Sequence, residues 1–519
     1  MGVRVLHCAA QVGFVANIVE VEVSFTRALP AFCITGLAGG AIQESKQRVQ
    51  SSLLANDFHF PPLKITVNLS PSDLPKQGSF FDLPIALLIA LYDHCDIKGE
   101  MLEGVESSKE TEDSSIKEEI KYFAFGELGL DGRIKDSNSI YPLLFSLLSR
   151  SKKDNFVFIL PKEGKEFYSK IPHLKAYFAE SLKEAIEILK DPPPLESFKA
   201  FLPFKHILIN DEPFYYSSDF ALDFYEIVGQ DRAKRAALIA ACGFHNILFE
   251  GSAGSGKSMI SSRIPYILPP LSIGEILELA ANSLKIEPTR PFRNPHHSTT
   301  IAAILGSCVG QVVKPGEIGL ANHGVLFFDE LPHFKRSLLE SLREPLENHN
   351  FTLSRAQVKA EYPADFMFVG AMNPCPCGNL LSLNKECRCN QKEINAYKNR
   401  ISEPFWDRID LFVNMQEGVQ SSHRVASKEL QEKVLKAFVM QKSRGQSCFN
   451  ARLSGAELER FCALEADGEA VLQKAIDRFG LSRRSVNKIL RVARSIADLE
   501  NAKTIAKEHL LEALSYRKI

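Results

Sequence analysis

Apolar and polar residues alternate most clearly near the start of the chain. Ile18-Val19-Glu20-Val21-Glu22-Val23 and Lys64-Ile65-Thr66-Val67-Asn68-Leu69 carry the period-two pattern of strands buried on one face. Helical spacing covers Ala41 to Asn56 and Leu83 to Leu91, so the first domain is expected to interleave β and α. Further on, Gln230 to Cys242 reads as a helix, Asn246 to Phe249 as a strand, and Ser258 onward as a helix again. Val325 to Phe328 and Phe366 to Gly370 are short, wholly apolar runs of the kind found in parallel strands covered on both faces. Beyond about Gln420 the apolar spacing is helical throughout, in Ala426 to Met440, Ala470 to Phe479 and Val486 to Ala497.

Two stretches interrupt this pattern. Glu103 to Glu119 holds seven acidic residues and two lysines among serines, with one valine and one isoleucine. So little apolar surface predicts a disordered surface loop, an acidic insertion. Asp191-Pro192-Pro193-Pro194 precludes helix and reads as an extended spacer. The expected domains are 1–190, a linker over 191–214, a core over 215–417 and a helical region over 418–519.

At 519 residues, 45% hydrophobic and 24% charged, the chain has apolar material for two to four separate cores. Lys plus Arg is 62 against Asp plus Glu 63, so any nucleic-acid surface must be local. Gly480 to Ile519 is locally basic, with nine Lys/Arg against four Asp/Glu. The longest apolar run, Leu83 to Tyr92, is too short to cross a bilayer, and MGVRVLHCAAQVGF lacks a signal-peptide pattern. A cytoplasmic protein with no membrane partner is expected, and its eleven cysteines do not read as a disulfide framework.

The clearest chemistry lies in Gly251-Ser252-Ala253-Gly254-Ser255-Gly256-Lys257-Ser258, which fits the phosphate-binding P-loop at every fixed position, after an apolar run and before a helix. Its glycines let backbone N–H groups face phosphate oxygens. Lys257 would reach the β- and γ-phosphates of ATP, and the Ser258 hydroxyl would hold Mg²⁺. About seventy residues on, Val325-Leu326-Phe327-Phe328-Asp329-Glu330 ends an apolar run in two acids. Asp329 is assigned to Mg²⁺ through its water shell, and Glu330 to polarising the attacking water. Asn373 closes the next apolar run and could orient the same water. Phosphoryl transfer also needs an added cation, and Arg408 and Arg484 are the two candidates. On sequence alone, either could equally be an ordinary surface arginine.

Cys375, Cys377, Cys387 and Cys389 form a CxC-x9-CxC pattern. Four thiolates on a short loop are the ligand set of a closed, structural Zn²⁺ site. Thiol–disulfide chemistry and simple buried cysteines are the alternatives.

Taken in order, the P-loop, the Asp-Glu pair, the strand-end Asn, the Asp407-Arg408-Ile409-Asp410 segment and the late Arg484 resemble an AAA+ ATPase. More narrowly, the chain resembles the ComM/YifB group, the magnesium-chelatase-like AAA+ proteins of bacteria. The residues that carry this are Arg290-Pro291-Phe292-Arg293-Asn294-Pro295-His296-His297-Ser298, Lys314-Pro315-Gly316-Glu317-Ile318, Leu342-Arg343-Glu344-Pro345-Leu346-Glu347, Asn373-Pro374-Cys375-Pro376-Cys377-Gly378 and Leu490 to Leu499. The resemblance runs from about Gly13 to Leu499 and implies a multidomain α/β protein. Its parts would be an N-terminal Lon-protease-like (ribosomal protein S5-like) α+β domain, a central AAA+ P-loop domain and a C-terminal α-helical lid.

The same resemblance implies a hexameric ring with ATP between subunits, Arg408 acting in trans and Arg484 in cis. It implies two loops in the ring's channel, one within Ser298 to Glu317 and one a hairpin around Phe351 to Tyr362. Alternation in Thr352-Leu353-Ser354-Arg355 and Gln357-Val358-Lys359-Ala360 puts Arg355 and Lys359 near that hairpin's tip, as candidate contacts to DNA phosphates. A solvated hairpin with ordinary charges is the competing reading. The implied function is DNA branch migration, on single-stranded or branched DNA and alongside recombination proteins, during natural transformation. The alternative is a chelatase-like motor remodelling a protein or metallo-cofactor client.

The Lon-like resemblance carries a departure. Lon enzymes pair a Ser nucleophile with a Lys. Here Phe80 falls at the nucleophile position, one place past Ser79, and the lysine position falls near Tyr141. A non-proteolytic domain is expected. Trp406, the chain's only tryptophan, and Gly306-Ser307-Cys308 also depart from the family pattern.

Overall fold

The alternating segments of the N-terminal region pair into one mixed sheet. The structure, a computed structural model, describes residues 4–12, 15–93, 120–150, 155–198, 202–309, 312–355, 358–382, 385–415 and 423–517. The acidic insertion expected at 103–119 lies outside them. Two compact units emerge, Met1–Pro203 with Ile273–Glu287, and Phe204–Ser272 with Pro288–Ile519.

The first unit contains β1 (Arg4–Val12), β2 (Val15–Thr26), β3 (Ala31–Thr35), α1 (Gly40–Ala55), β4 (Lys64–Ser70), α2 (Asp82–Ala90), β5 (Lys121–Ala124), α3 (Ile140–Arg150), β6 (Phe156–Pro161), β7 (Lys175–Ala179), α4 (Leu182–Lys190) and β8 (Glu196–Ser197). Its eight strands run in the order β8-β7-β6-β5-β1-β2-β4-β3. β1, β2 and β4 are antiparallel neighbours; β1, β5, β6 and β7 are parallel ones. Every residue of α2 is buried, as its unbroken apolar run requires. Its one acid, Asp82, takes a bidentate pair of hydrogen bonds from Arg48 of α1 at 2.6 and 3.1 Å.

The expected boundaries shift in two places. The linker over 191–214 is ordered at both ends. Glu196 and Ser197 pair with Ala176 and Lys175 of the first unit, while Lys205–Ile209 and Glu212–Tyr216 form a hairpin belonging to the second. The helix Ile273–Ser283, counted from sequence with the core over 215–417, packs on α3 instead. Its stripe of Leu277 and Ala280 is buried in the first unit's core, a face its own stretch of chain gives it nowhere else to cover.

The second unit holds α5 (Asp231–Gly243), β9 (Ile247–Gly251), α6 (Lys257–Ser261), β10 (Phe292–Arg293), β11 (Val325–Phe328), α7 (Arg343–Asn348), β12 (Asn350–Arg355), β13 (Val358–Pro363), β14 (Met367–Met372), β15 (Leu411–Met415), α8 (Ser427–Ser443), α9 (Ala466–Phe479), α10 (Arg483–Leu499) and α11 (Lys507–Ser515). Five strands form a sheet in the order β10-β11-β14-β9-β15, each pair parallel. Asn246 ties three of them at their amino ends. Its side chain donates to the Arg408 carbonyl at 2.9 Å and accepts from Phe368 N–H at 2.9 Å, while its own N–H reaches Asp410 at 3.0 Å. β12 and β13 form a separate hairpin, with Arg355 opposite Val358 and Ser354 opposite Lys359.

Helices alone follow Met415 among the described residues. They join the sheet through a buried polar knot around Asp498 of α10. Its carboxylate accepts from Arg444 at 2.6 and 2.9 Å, Arg494 at 3.0 Å, Asn450 at 2.8 Å and Gln441 at 3.3 Å. Beside it, Ser495 meets the His245 ring at 2.7 Å, just before β9.

Removing one partner of a buried charge network costs about 3–5 kcal/mol. The chain's single tryptophan, Trp406, is buried in the second unit, so its fluorescence reports that unit's unfolding. Asp498→Ala is expected to lower the second unit's urea stability by that amount. A loss below about 1 kcal/mol would show that the knot is not what fastens α10.

Candidate functional site

Three neighbouring parallel strands, β11, β14 and β9, end on the same edge of the sheet, and the chemistry sits there. β9 turns into α6 through residues 252–256, where Gly254 and Gly256 take φ of 83° and 91°. An L side chain rarely adopts that left-handed backbone, which curls the loop so that its N–H groups converge. Lys257 opens α6 with its ammonium held by the carbonyls of Gly251 at 2.6 Å and Ser252 at 2.7 Å, and by Asn373 Oδ1 at 3.3 Å. The Ser258 hydroxyl donates to Asp329 Oδ2 at 2.8 Å. Lys257, Ser258, Asp329 and Asn373, drawn from three strand ends, therefore form one connected group.

Glu330 follows Asp329 in the left-handed region, with φ of 51°, and its N–H is held by Asp329 Oδ1 at 2.9 Å. A non-glycine residue there costs on the order of 1–3 kcal/mol, a strain that concentrates at functional sites. The carboxylate is exposed. Tyr397, absent from the sequence reading, is buried close by. Burial, with the nearby Glu330 charge, pushes its hydroxyl up to about 12 against a stabilising N–H from Asn373.

The donor set fits Mg-ATP. One lysine ammonium rests on the loop carbonyls of Gly251 and Ser252, and a hydroxyl and a carboxylate stand within one hydrogen bond of each other. The Ser252 and Ser255 hydroxyls are buried in the same loop without a hydrogen-bond partner among the described residues. Oxygen donors of this kind suit Mg²⁺, which takes one or two protein ligands and completes its shell with water and phosphate.

Arg408 and Arg484 come together on a residue the sequence reading quoted but gave no role. Arg408 donates to Glu347 Oε2 and to the Pro404 carbonyl at 2.8 Å. Arg484 meets the other oxygen, Glu347 Oε1, at 2.9 Å. Among the described residues, neither arginine is bonded to the P-loop of its own chain. One turn along α10, Lys488 donates to the carbonyls of Asp407 and Ile409, the latter at 3.2 Å.

The four cysteines also converge. Sγ–Sγ separations are 3.4 Å for Cys375–Cys377, 3.6 Å for Cys375–Cys387 and 3.7 Å for Cys377–Cys387, and all four Sγ atoms, Cys389 included, lie within 4.8 Å of one another. A disulfide would be about 2.05 Å. A tetrahedron with Zn–S of about 2.3 Å has edges of about 3.8 Å, close to the separations found. Backbone N–H groups of Asn379 and Arg388 pull the Cys377 thiol down to about 6, while desolvation and the neighbouring thiols push Cys387 up and Cys389 to about 12.

The remaining candidates belong to other elements. Arg355 and Lys359 flank the turn of the β12–β13 hairpin, whose residues 356–357 are not described. Phe80 is buried and stacks on Phe81 at 5.1 Å, Ser79 bonds Glu127, and Tyr141 bonds Asp136. Lys76, the lysine nearest in sequence, is buried with its ammonium on the carbonyls of Leu69 and Pro71. No helix among the described residues is long and apolar enough to cross a membrane.

Three family models match along the chain: "Subunit ChlI of Mg-chelatase" over residues 21–164, "Magnesium chelatase, subunit ChlI" over 223–423, and "Magnesium chelatase, subunit ChlI C-terminal" over 424–517. The fold and site thus define a magnesium-chelatase-like P-loop protein, a class that implies ATP and Mg²⁺. The chain is 36% identical to the competence protein ComM of Haemophilus influenzae, over 100% of this chain and 98% of that one. It is 35% identical to YifB of Salmonella typhimurium, again over 100% and 98%. Similarity to the magnesium-chelatase 67 kDa subunit of Chlorobaculum parvum is 29% identity, over 29% of this chain and 23% of that one. The chain belongs to the ComM/YifB family.

Ser258→Ala is expected to weaken nucleotide binding in Mg²⁺ by about tenfold, the order of one hydrogen bond to a charged group. Affinity in EDTA should stay unchanged, as read by titrating a fluorescent nucleotide under both conditions. An equal loss with and without Mg²⁺ would mean that the hydroxyl serves the loop and not the metal.

Proposed function

We propose that the protein is an ATP-hydrolysing AAA+ motor that acts on single-stranded or branched DNA as a hexameric ring. Its work in this reading is branch migration during homologous recombination in natural transformation, alongside recombination proteins in the cytoplasm. The hydrogen-bonded group of Lys257, Ser258, Asp329 and Asn373 carries the ATPase half. The DNA half rests on full-length similarity to a protein named for competence, and on a hairpin with Arg355 and Lys359 beside its turn.

In this reading Lys257 and the loop amides bind the β- and γ-phosphates, and Ser258 and Asp329 hold Mg²⁺, which draws charge from the phosphate oxygens. Glu330, aimed by its left-handed turn, takes up the proton-accepting role toward the attacking water, and Asn373 orients that water. Arg408 completes a neighbouring subunit's site, and Arg484 brings its charge from the C-terminal helices, read as the lid. The first unit is read as a Lon-like domain that binds or assembles without proteolysis, since Phe80 and Tyr141 stand where the Ser–Lys pair would. The four cysteines are read as a structural Zn²⁺ site a few residues past Asn373.

Lys257→Ala is expected to abolish ATP binding or turnover, while Glu330→Gln binds ATP and forms rings but stalls. Mixing Arg408→Ala with Lys257→Ala subunits should restore some hydrolysis at hybrid interfaces. Wild-type turnover should rise with DNA, most with a four-way junction, and the rise should shrink with added salt. Turnover indifferent to every DNA at both low and high salt would remove the DNA assignment and direct the search to protein or metallo-cofactor clients.

For the cysteine site, purified protein is expected to carry about one zinc per chain by elemental analysis, and Cys377→Ser to lose most of it. Zinc-free protein with four titratable thiols would sink this reading, and a disulfide found by mass spectrometry would favour the redox alternative.

A further inference from the structure

The two arginines expected to act on the nucleotide share one carboxylate, and this constrains both. Glu347 lies near the end of α7 with its two oxygens divided, Oε2 to Arg408 and Oε1 to Arg484. The Arg408 side chain is only 9% exposed, with the Pro404 carbonyl as its other acceptor and its Nε buried without a partner. Arg484 and Glu347 are 45% and 43% exposed. One carboxylate serves two guanidiniums, and of the two Arg484 presents the exposed face. That is the surface an anionic phosphate would meet.

Simple surface pairing does not account for this arrangement. An exposed ion pair gains little, because water screens it and two long side chains must be held still. Here one partner is nearly buried. The helix bearing the other is pinned independently by Lys488, which caps the carbonyls on either side of Arg408. Both arginines are therefore fixed relative to each other by two separate links between α10 and the segment 407–409. A planar fork needs such fixing to address a phosphate oxygen, since a displacement of about 1 Å can cost about a hundredfold in rate.

We infer that Glu347 is a positioning residue that joins Arg408 and Arg484 into one unit and sets where both guanidiniums point. This rests on the ATPase reading above. It replaces two independently placed cations with a single unit built on a carboxylate.

The test is a double-mutant cycle on full-length protein. Glu347→Gln keeps the size of a half-exposed side chain and removes its charge. It is expected to lower kcat about tenfold, leaving ATP affinity within twofold of wild type because the P-loop is untouched. In an Arg484→Ala background the same substitution should change kcat less than twofold, since the pair it positions is already broken. Glu347→Asp, which restores the charge on a shorter arm, should recover part of kcat. Additive losses in the cycle would overturn the inference, as would a loss of ATP affinity that accounts for the whole defect. A wild-type protein without ATP turnover would instead sink the ATPase reading, and the inference with it.

Discussion

A parallel sheet places the carboxyl ends of all its strands on one edge, and the candidate site depends on that constraint. β9 delivers the P-loop, β11 the Asp329-Glu330 pair and β14 Asn373, and the strand order makes the three neighbours. The register then fixes how far each projects. Phe328, the last residue of β11, pairs with Gly370 of β14, and Glu250 of β9 pairs with Met372. The result is that Ser258 reaches Asp329, and Lys257 reaches Asn373, without a long loop between them. Side chains buried along β11 and β14 and over Ile247–Phe249 of β9 hold the register, because slipping by one residue would exchange their two faces.

The opposite edge has its own polar fastening. Asn246 joins the starts of β9, β14 and the segment before β15 with a single amide that satisfies both its donor and acceptor roles. Next to it, Asp410 is mostly buried, which alone would raise its pKa. The facing His245 ring and the Lys488 ammonium outweigh that and hold it at about 2. Asp410 is thus charged at any working pH, and it sits two residues from Arg408. The knot around Asp498 continues this polar layer into the helices. Buried charges of this kind demand partners in fixed positions, so the second unit's sheet and its C-terminal helices present one defined geometry to the site.

Local chemistry was legible in the sequence, and long-range pairing was not. The P-loop, β11 and β14 announce themselves because each is an apolar run ending in the residue that acts, and strand and helix limits fall within a few residues of expectation. The four cysteines were legible for a similar reason, since only four residues of one type on a short loop can converge so simply. Two features were hidden. The helix Ile273–Ser283 looks like any amphipathic helix, and nothing in its own pattern says which core it joins; only α3, far back in the chain, decides that. Glu347 sits in a charged stretch, Arg343-Glu344-Pro345-Leu346-Glu347, where two glutamates are equally plausible as solvated surface. What distinguishes it is the arrival of two arginines from 61 residues away and from α10, a tertiary fact with no local signature.

That tertiary fact bears on how such a site could be regulated by its own framework. α7, which carries Glu347, passes through His349 in a left-handed turn directly into β12. The His349 ring is held neutral, down to about 4, by burial and by the nearby Arg452 charge. The junction therefore carries no ionised group of its own that could swing freely into solvent. The hairpin and the Glu347 carboxylate are joined through this one turn residue, two positions after Glu347. A left-handed turn at a non-glycine residue is sterically restricted, so the connection is stiffer than a free linker. The same short path links the hairpin's turn, where Arg355 and Lys359 stand, to the two guanidiniums on Glu347.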